Sequence, residues 1–486
     1  MVFSQLAFLY CFFPAVMIIY WLIKDIRIRN VFILLTGLIF YSWGEPFYVC
    51  IMLLSTAIDY FAGRYMDKFD KEDKKRKICL LVSVCMNIGL LCIFKYSDFF
   101  TDSLSALLNT QLHNPVLSVN RAINGILPLK LDEKRVHLPI GISFFTFQSM
   151  SYTIDLYRRR IKVQKSFIRF AAYVTLFPQI VAGPIVRYEQ VEKELSYRTV
   201  TSEKVFSGLA MFIKGLSKKV LIANNVGLLA SQVWGMELSS LPALTAWLGA
   251  LAFTLQIYFD FSGYSDMAVG MGKMMGFEFP KNFDHPYLSQ SVSEFWRRWH
   301  ITLGDWFREY VYIPLGGNRK GKGRTLINLF IVWALTGLWH GAQWNFVVWG
   351  LYFGVFIIIE KIGFSEVLKK IPAVLRVIYS LFIVIIGWVF FNSPDLPSSL
   401  GFLASMFTMK NGFADSMSMY LLSENIIMLM IGAVLSTGVI YRLKKFVPRS
   451  ENVRTALLTA AEISAVALCT AYIVRAIYNP FLYFRF

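Results

Sequence analysis

Long apolar segments separated by short polar ones recur along almost the whole chain. A helix needs about 20 apolar residues to cross the hydrocarbon core of a bilayer, and many of these segments approach that length. We predict spanning or re-entrant helices at residues 3–23, 31–42 with 47–62, 78–94, 138–156, 168–186, 205–232, 241–262, 326–357, 372–391, 423–441 and 455–474. The pattern therefore predicts an all-α polytopic membrane protein, with residues 1–486 as a single integral membrane domain.

Two stretches depart from the simple alternation of apolar spans and polar loops. The sequence SWGEPF (Ser42–Phe47) breaks an apolar run at Gly44–Pro46, as expected where glycine and proline interrupt a helix. Residues 263–325 are too polar to span a membrane and too aromatic for an ordinary loop. Non-helical backbone at membrane depth is tolerated when it is buried in protein or lines a cavity. We therefore expect residues 263–325 to be enclosed by protein.

The most unusual part of that stretch is EFWRRWHITLGDWFREYVYIPLGG, Glu294 to Gly317. As one helix over residues 293–312, it would place five large side chains on one stripe. These are Trp296, Trp299, Leu303, Trp306 and Tyr310. Glu294 and Arg298 would form an i, i+4 ion pair in the favoured order. A helix of this kind could also be a simple interfacial anchor, because tryptophan and arginine favour that zone.

Composition and charge support the membrane assignment. The chain is 56% hydrophobic and 16% charged, with a formal net charge of +18. The positive charge lies in short clusters between apolar segments, so we attribute it to membrane topology and not to nucleic-acid binding. These clusters place the N-terminus outside and the loops around Lys24–Arg29, Asp67–Lys77 and Tyr157–Lys165 in the cytoplasm, with further candidates at Arg319–Arg324 and Arg442–Arg449. We interpret the first segment as a retained helix because no basic stretch precedes it.

The cysteines and histidines limit the chemistry. The six cysteines lie mostly in apolar runs without metal-ligand spacing, so we expect no metal site. His113 and His137 fall in or beside a polar loop, and His285 precedes a proline, so we expect structural or solvated roles for all three. His340 lies inside an apolar run, about 20 Å along a helix counted from Thr325. An ionisable residue at that depth suggests function, although a buried histidine bonded to a neighbouring helix remains the alternative.

Histidine suits acyl transfer because a neutral imidazole can accept the proton of an attacking hydroxyl. Bulky and polar groups surround His340 in the sequence, among them Trp339 and Asn345, and Gly341 would allow close approach of a backbone or substrate. The chain contains no GxSxG and no HExxH motif, so a serine hydrolase or zinc protease has no support.

Several long motifs together carry a resemblance to a known family. They are FYSWGEPFY, LPIGISFFTFQSMSYTIDLYRRR, FPQIVAGPIVRY, the stretch from DFSGYSD through EFWRRWH to PLGGNR, TGLWHGAQWNFVVWG and the terminal YNPFLYFRF. In this order they resemble the membrane-bound O-acyltransferase (MBOAT) family, and most closely its bacterial alginate O-acetyltransferase branch. The motif-bearing catalytic core would be residues 138–353.

The resemblance implies a fold of about 11–13 transmembrane or re-entrant helices around a central tunnel. It assigns the family's nearly invariant histidine to His340 and its second polar position to His300. We expect His340 to be the general base and His300 to orient substrate or stabilise an oxyanion. No bound cofactor is implied, and the donor would be acetyl-CoA or another acyl thioester. The acceptor would be an extracytoplasmic polysaccharide, reached through a separate extracytoplasmic esterase-like partner, with the enzyme in the bacterial inner or plasma membrane.

Some roles and functions stay open at this stage. The candidate substrate or tunnel residues are Arg298, Asp305, Arg308, Trp339 and Asn345. Arg298 and Arg308 could bind the phosphates of coenzyme A, or could form an ion network with Glu294, Asp305 and Glu309. Buried polar groups such as Gln148, Asp155, Asp260 and Asp266 need partners, whether or not they line a tunnel. Two other functions fit in part: D-alanyl transfer to teichoic acid from an acidic carrier protein, and a polytopic transporter or polymer export component with His340 as a proton or ligand site.

Overall fold

The structure is a computed structural model that describes residues 2–126, 132, 134–439, 450–475 and 482. Two segments singled out in the sequence fall outside the described residues. They are the basic cluster Arg442–Arg449 and, apart from Leu482, the terminal YNPFLYFRF motif.

All regular structure in the described part of the chain is helical, with no strand, as predicted. The α-helices are α1 (Phe13–Leu22), α2 (Ile26–Ser42), α3 (Val49–Lys68), α4 (Asp73–Leu91), α5 (Ser97–Leu108), α6 (Pro115–Ile126), α7 (Ile142–Tyr157), α8 (Phe167–Val174), α9 (Tyr188–Ser196), α10 (Ser202–Ser217), α11 (Asn224–Trp234), α12 (Ala243–Met274), α13 (Val292–Arg298), α14 (Ile301–Phe307), α15 (Gly321–His340), α16 (Trp344–Ile359), α17 (Ser365–Lys369), α18 (Ala373–Asn392), α19 (Leu396–Thr408), α20 (Ser416–Ser436) and α21 (Glu451–Arg475). Short π-helical segments occur at Phe8–Phe12, Cys92–Tyr96, Lys218–Ala223, Arg308–Tyr312 and Glu360–Phe364, and Pro286–Leu288 is a 3-10 turn.

Among the described residues, six helical stretches are long and apolar enough to cross a membrane. They are Asp73–Leu108, Ala243–Met274, Trp344–Lys369, Ala373–Asn392, Ser416–Ser436 and Asn452–Arg475. Some predicted spans differ from the structure. The span predicted at 241–262 continues as α12 to Met274, so residues 263–274 belong to a candidate span although residues 263–325 were expected to be too polar to cross a membrane. Residues 168–186 contain only the short helix α8, because Pro178 and the Gly183–Pro184 pair cannot continue a helix. Residues 326–357 are two helices, α15 and α16, separated after His340.

The chain groups into two compact units. Unit one comprises Val16–Val200 and Gly276–Phe279, and unit two comprises Val2–Ala15, Thr201–Met275 and Pro280–Phe486. In unit one, helices α3, α4 and α7 pack together around the buried carboxylate of Asp59. This carboxylate accepts hydrogen bonds from the Ser83 hydroxyl at 2.5 Å and from the Asn87 amide at 3.0 and 2.9 Å. The bonds satisfy a polar group that would otherwise destabilise the helix interface.

The long helix α12 forms the centre of unit two and packs closely against α10. Glycines spaced seven residues apart allow this approach. A Cβ atom on Gly208 would lie 2.6 Å from the carbonyl oxygen of Gly270, and one on Gly263 would lie 2.7 Å from that of Gly215. Small residues at such a crossing let the two backbones touch, as is common between membrane helices.

Helices α15 and α16 form a second close pair in unit two, and this pair fixes the position of His340. A Cβ atom on Gly337 would collide with the carbonyl oxygen of Phe346, and one on Gly350 would collide with that of Trp333. Gly341 ends α15, and an added Cβ atom there would meet the ring of Phe346. A backbone or substrate was expected to approach Gly341, but the group that lies against it is the side chain of Phe346.

Candidate active site

His340 is the last residue of α15 and is almost completely buried. Its Nδ1 atom lies 2.8 Å from the carbonyl oxygen of Thr336 one turn earlier. Its ring contacts Trp349, Trp339 and Phe391, with centroid separations of 4.7, 4.8 and 5.6 Å. The imidazole therefore bonds to a backbone carbonyl and is surrounded by aromatic rings.

His300 lies where the predicted helix over residues 293–312 is interrupted. The structure has α13 ending at Arg298, an extended Trp299, and His300 in the left-handed region at φ 46°, before α14 starts at Ile301. A residue other than glycine rarely adopts this conformation, and such strain collects at functional sites. The segment Asn282–Asp284 stabilises the break, because the Ile301 amide donates to the Asn282 carbonyl at 3.0 Å and the Asp284 amide donates to the Arg298 carbonyl at 2.9 Å.

The His300 side chain is 1% exposed and packs edge-on against Phe261, with a centroid separation of 4.7 Å. Its Nδ1 atom lies 3.1 Å from the side-chain oxygen of Asn282. Burial, together with the neighbouring His340, lowers the pKa of His300 well below its usual range. Both effects favour the neutral form of His300.

The two predicted catalytic histidines both lie near the indole of Trp339. Trp339 lies 6.0 Å from the His300 ring and 4.8 Å from the His340 ring, centroid to centroid. The two histidines are 40 positions apart in the numbering of the sequence. Their approach follows from the packing of the α13–α14 break against the end of α15.

A cavity of about 190 Å³ is lined by His300 and by Thr336, whose carbonyl bonds to His340, whereas His340 itself is not one of its lining residues. Its walls include Trp296, Trp299, His300, Arg308, Trp333 and Thr336. Its volume is below the roughly 300–1,000 Å³ of pockets that enclose a whole drug-sized ligand. The cavity can therefore take a small group or the end of a longer molecule. Among the described residues, no group of three or more His, Cys, Asp or Glu side chains is placed to hold a metal ion.

The other predicted site residues have different surroundings. Arg298 bonds to Glu294 at 2.6 Å, which confirms the predicted i, i+4 pair, and its guanidinium reaches the Asp284 carbonyl at 3.4 Å. Arg308 is exposed and lines the cavity, and Asp305 is exposed on α14. Arg308 is thus the predicted cation with access to both the cavity and solvent.

Asn345 is completely buried, and its amide nitrogen donates to the carbonyls of Phe390 at 3.2 Å and Ser393 at 2.8 Å. These bonds satisfy carbonyl groups at the C-terminus of α18, where the helix itself provides no partners. They support a structural role for Asn345, which ties α16 to the end of α18.

Glu360 contributes to the site although the sequence analysis did not select it. Its buried carboxylate accepts hydrogen bonds from the Val292 amide at 2.7 Å and the Ser293 amide at 2.9 Å, at the N-terminus of α13. A carboxylate at this position satisfies unpaired amides and is attracted by the helix dipole. Its signal in the sequence is an acidic residue at the end of an apolar run, VFIIIEK.

Trp296, on α13, lines the cavity and carries a buried hydrogen-bond donor. Its ring packs against Trp333 and Trp349, with centroid separations of 4.8 and 5.5 Å. The indole nitrogen is buried and has no hydrogen-bond acceptor among the described residues. A buried donor of this kind is costly unless a ligand or another group accepts its hydrogen.

The partners expected for the buried aspartates are present. Within unit two, Asp260 pairs with Lys219 at 2.6 Å, and Asp266 pairs with Lys218 at 2.8 Å. Within unit one, Asp155 lies 4.0 Å from Arg160, whereas the buried side-chain oxygen of Gln148 has no hydrogen-bond partner among the described residues. The charges are balanced locally, as the cost of burying a lone charge requires.

Comparison with known proteins agrees with the motif resemblance. A sequence model of the membrane-bound O-acyltransferase family matches residues 32–393. The probable alginate O-acetylase of Pseudomonas putida is 35% identical over an alignment of 504 positions, gaps included, which covers 100% of both chains. The peptidoglycan O-acetyltransferase of Helicobacter pylori is 30% identical over 442 residues, 84% of this chain and 80% of its own.

A more distant relative, the teichoic acid D-alanyltransferase of Bacillus subtilis, is 29% identical over 233 residues, 44% of this chain and 57% of its own. The family match covers well over half of the chain, and the two acetyl-transferring relatives cover most or all of it. The chain therefore belongs to the membrane-bound O-acyltransferase family, as a multi-pass membrane protein that transfers acyl groups to hydroxyl groups.

Proposed function

We propose that this protein moves an acetyl group from a cytosolic acyl thioester toward hydroxyl groups of an extracytoplasmic polysaccharide, with His340 as the general base. The observation that carries the proposal is the pair of buried imidazoles beside Trp339. Because the Thr336 carbonyl can only accept, the Nδ1 atom of His340 carries the hydrogen of their 2.8 Å bond. The basic lone pair of His340 is therefore on Nε2.

The proposed reaction uses that lone pair. Nε2 of His340 takes the proton of the acceptor hydroxyl while the hydroxyl oxygen attacks the thioester carbonyl carbon. A new C–O bond forms, the C–S bond breaks, and the leaving sulfur receives the proton from the imidazolium. The products are an O-acyl ester and a free thiol, and His340 returns to its neutral form.

Negative charge develops on the carbonyl oxygen during this step and needs a hydrogen-bond donor. We assign that role to the indole N–H of Trp296, which is buried at the cavity and has no acceptor among the described residues. The narrow cavity suits an acetyl group and its thioester better than a long acyl chain. Arg308, exposed at the cavity wall, would meet the anionic remainder of the donor, whether coenzyme A or a carrier protein.

The identity of the acyl group and acceptor rests on the relatives. The two relatives that cover most of this chain are named for O-acetyl transfer, to alginate and to peptidoglycan, whereas the D-alanyltransferase covers 44% of it. We therefore favour acetyl over D-alanyl and a polysaccharide of the alginate type. On this basis we propose a bacterial inner or plasma membrane location and an extracytoplasmic esterase-like partner that completes delivery to the polymer.

Purified protein in lipid vesicles tests the proposal directly. With labelled acetyl-CoA, alginate oligomers and the proposed esterase-like partner, we expect release of free thiol matched by ester formation, loss of both in His340→Ala, and a smaller loss in His300→Ala. His113→Ala is the control, because His113 is exposed and bonds to Ser118. Equal transfer by wild type and His340→Ala would overturn the assignment. Transfer only from a D-alanyl carrier thioester would favour the alternative donor.

A further inference from the structure

The Asn282 side chain holds three hydrogen bonds on one oxygen. The oxygen lies 3.1 Å from His300 Nδ1, 3.3 Å from the Thr302 amide nitrogen and 2.9 Å from the Thr302 hydroxyl. A backbone amide can only donate, so the Asn282 atom that faces Thr302 must be the oxygen and not the amide nitrogen. The orientation of the Asn282 amide is thereby fixed by the backbone.

This orientation determines the tautomer of His300. Since the Asn282 oxygen can only accept, the hydrogen of the third bond must be on His300 Nδ1. The proton-free nitrogen of His300 is then Nε2, as it is in His340. A neutral Nδ1–H imidazole cannot donate from Nε2, which argues against His300 as an oxyanion donor and favours an acceptor role.

The backbone adds to the constraint. Asn282 also accepts the Ile301 amide through its carbonyl oxygen, so one residue holds both the first turn of α14 and the ring of the residue before it. His300 is in the left-handed region, where small changes in backbone angle would redirect its side chain. Asn282 itself is 2% exposed and is shielded from competing water.

We propose that Asn282 is a positioning residue that fixes His300 as the neutral Nδ1–H tautomer, so that Nε2 accepts a hydrogen bond from a second hydroxyl group of the polysaccharide while His340 takes the proton of the attacking one. The proposal rests on the proposed acyl transfer and assigns to His300 the orientation of the acceptor. The groups that face the ring are consistent with a neutral form. Phe261 from α12 and Trp339 from α15 are uncharged, and the titratable group that acts on His300 is His340.

The test is the pH dependence of kcat/KM in Asn282→Asp, measured with acetyl-CoA and alginate oligomers in vesicles. A carboxylate can accept the same three bonds, but its negative charge stabilises the imidazolium form of His300. Since the neutral ring is the active form, the acidic limb of the profile should move to higher pH, by about one unit or more. Activity should recover at alkaline pH.

Two further variants separate positioning from general support of the fold. Thr302→Val removes a bond to the same oxygen but leaves the His300 bond, so its acidic limb should stay where the wild type has it. Asn282→Leu should lower kcat about 10- to 100-fold with a smaller change in KM, as expected when a substrate-orienting group is released.

A profile of Asn282→Asp that coincides with the wild-type profile would overturn the inference, as would a uniform loss at every pH. These results are distinct from failure of the proposed function, which would appear as no transfer by wild type or as full transfer by His340→Ala. If Asn282→Leu does not accumulate in the membrane, the Asn282→Asp profile still decides the question.

Discussion

At the residue scale, the candidate site combines hydrogen-bond acceptors on two histidines with a buried indole donor. His340 and His300 each use Nδ1 in a bond to an oxygen atom, and the Trp296 indole supplies an N–H beside the cavity. An acyl transfer needs both kinds of group, a base for the hydroxyl proton and a donor for the carbonyl oxygen. The indole is therefore as informative about mechanism as the histidines.

Trp296→Phe tests the donor, because it removes the N–H and keeps the aromatic packing against Trp333 and Trp349. We expect kcat to fall on the order of 10- to 100-fold, somewhat less than the loss of an established oxyanion donor, with normal abundance in the membrane. The matched control is Trp344→Phe, at an exposed tryptophan that begins α16. Unchanged kcat in Trp296→Phe would exclude the indole as the donor.

A second residue-scale prediction concerns His137, outside the membrane-spanning segments. It was expected to be structural or solvated, and its Nε2 atom lies 3.1 Å from the buried carboxylate of Glu45. This hydrogen bond raises the pKa of His137. The stabilisation is therefore fully present below the pKa of the unfolded chain and is lost as pH rises through the higher folded-state value.

We expect Glu45→Gln to lower the thermal unfolding temperature more at pH 6 than at pH 8.5. The comparison is made in detergent, with Glu72→Gln as a control at an exposed ion pair with Lys75. An equal loss at both pH values would mean that the His137 charge does not contribute.

At the element scale, the active site depends on how short helices are held. The α13 helix has only seven residues and carries Trp296 and Arg298, so it needs outside support at its N-terminus. Glu360 provides that support through two charge-assisted bonds to its first amides. The close backbone contacts at Gly337 and Gly350 hold α15 against α16 and thereby fix the position of His340.

Glu360→Gln should release α13, because an amide offers one acceptor oxygen and turns an N–H₂ group toward the second backbone amide. We expect a loss of stability of about 1–3 kcal/mol and a decrease in transfer, measured by thermal unfolding and by the vesicle assay. Glu366→Gln serves as the control, since that carboxylate is exposed and pairs with Lys369. Equal behaviour of the two variants would contradict the capping role.

Gly350→Ala should separate α15 from α16, since the added Cβ would collide with the Trp333 carbonyl. Overpacking of this kind costs about 1–3 kcal/mol, and acetyl transfer should fall because the proposed base, His340, is displaced. Gly323→Ala is the matched control, because a Cβ atom there meets nothing within 4 Å. Full activity of Gly350→Ala would show that the close crossing is dispensable.

The sequence predicted helices better than it predicted their interruptions. Apolar length identified segments such as Ala373–Asn392, and the Glu294–Arg298 pair followed from helical spacing. The break at Trp299–His300 was missed because its cause is distant in sequence: the Asn282–Asp284 segment supplies bonds that periodicity cannot reveal. The separation of α15 from α16 was missed because both are apolar and no proline lies between them.

The residues of the candidate site were likewise predicted only in part from the sequence. His340 stands out as an ionisable residue in an apolar run, so hydropathy alone selects it. His300 needed the family resemblance, because its burial depends on the fold around it. Asn282 and Glu360 became visible only through their bonds, as each acts on another element and neither has a distinctive neighbour in the sequence.

At the scale of the whole molecule, this polytopic protein with a net charge of +18 encloses the two histidines of the proposed site among aromatic side chains, away from water. Enclosure suits a thioester, since it excludes the water that would hydrolyse it. It also suits transfer between a donor and an acceptor that need not share a compartment. Under the proposed function, the protein supplies acyl groups to a polymer that it does not itself have to bind.

The central claim is tested most directly by the ester-linked acetyl content of the host's extracellular polymers. The comparison includes wild type, a deletion and His340→Ala, with His113→Ala as the control and membrane abundance measured in each strain. We predict that one polymer loses its acetyl esters in both the deletion and His340→Ala and keeps them in His113→Ala. Loss in the deletion but not in His340→Ala would contradict the account and would instead indicate a transport or scaffold role.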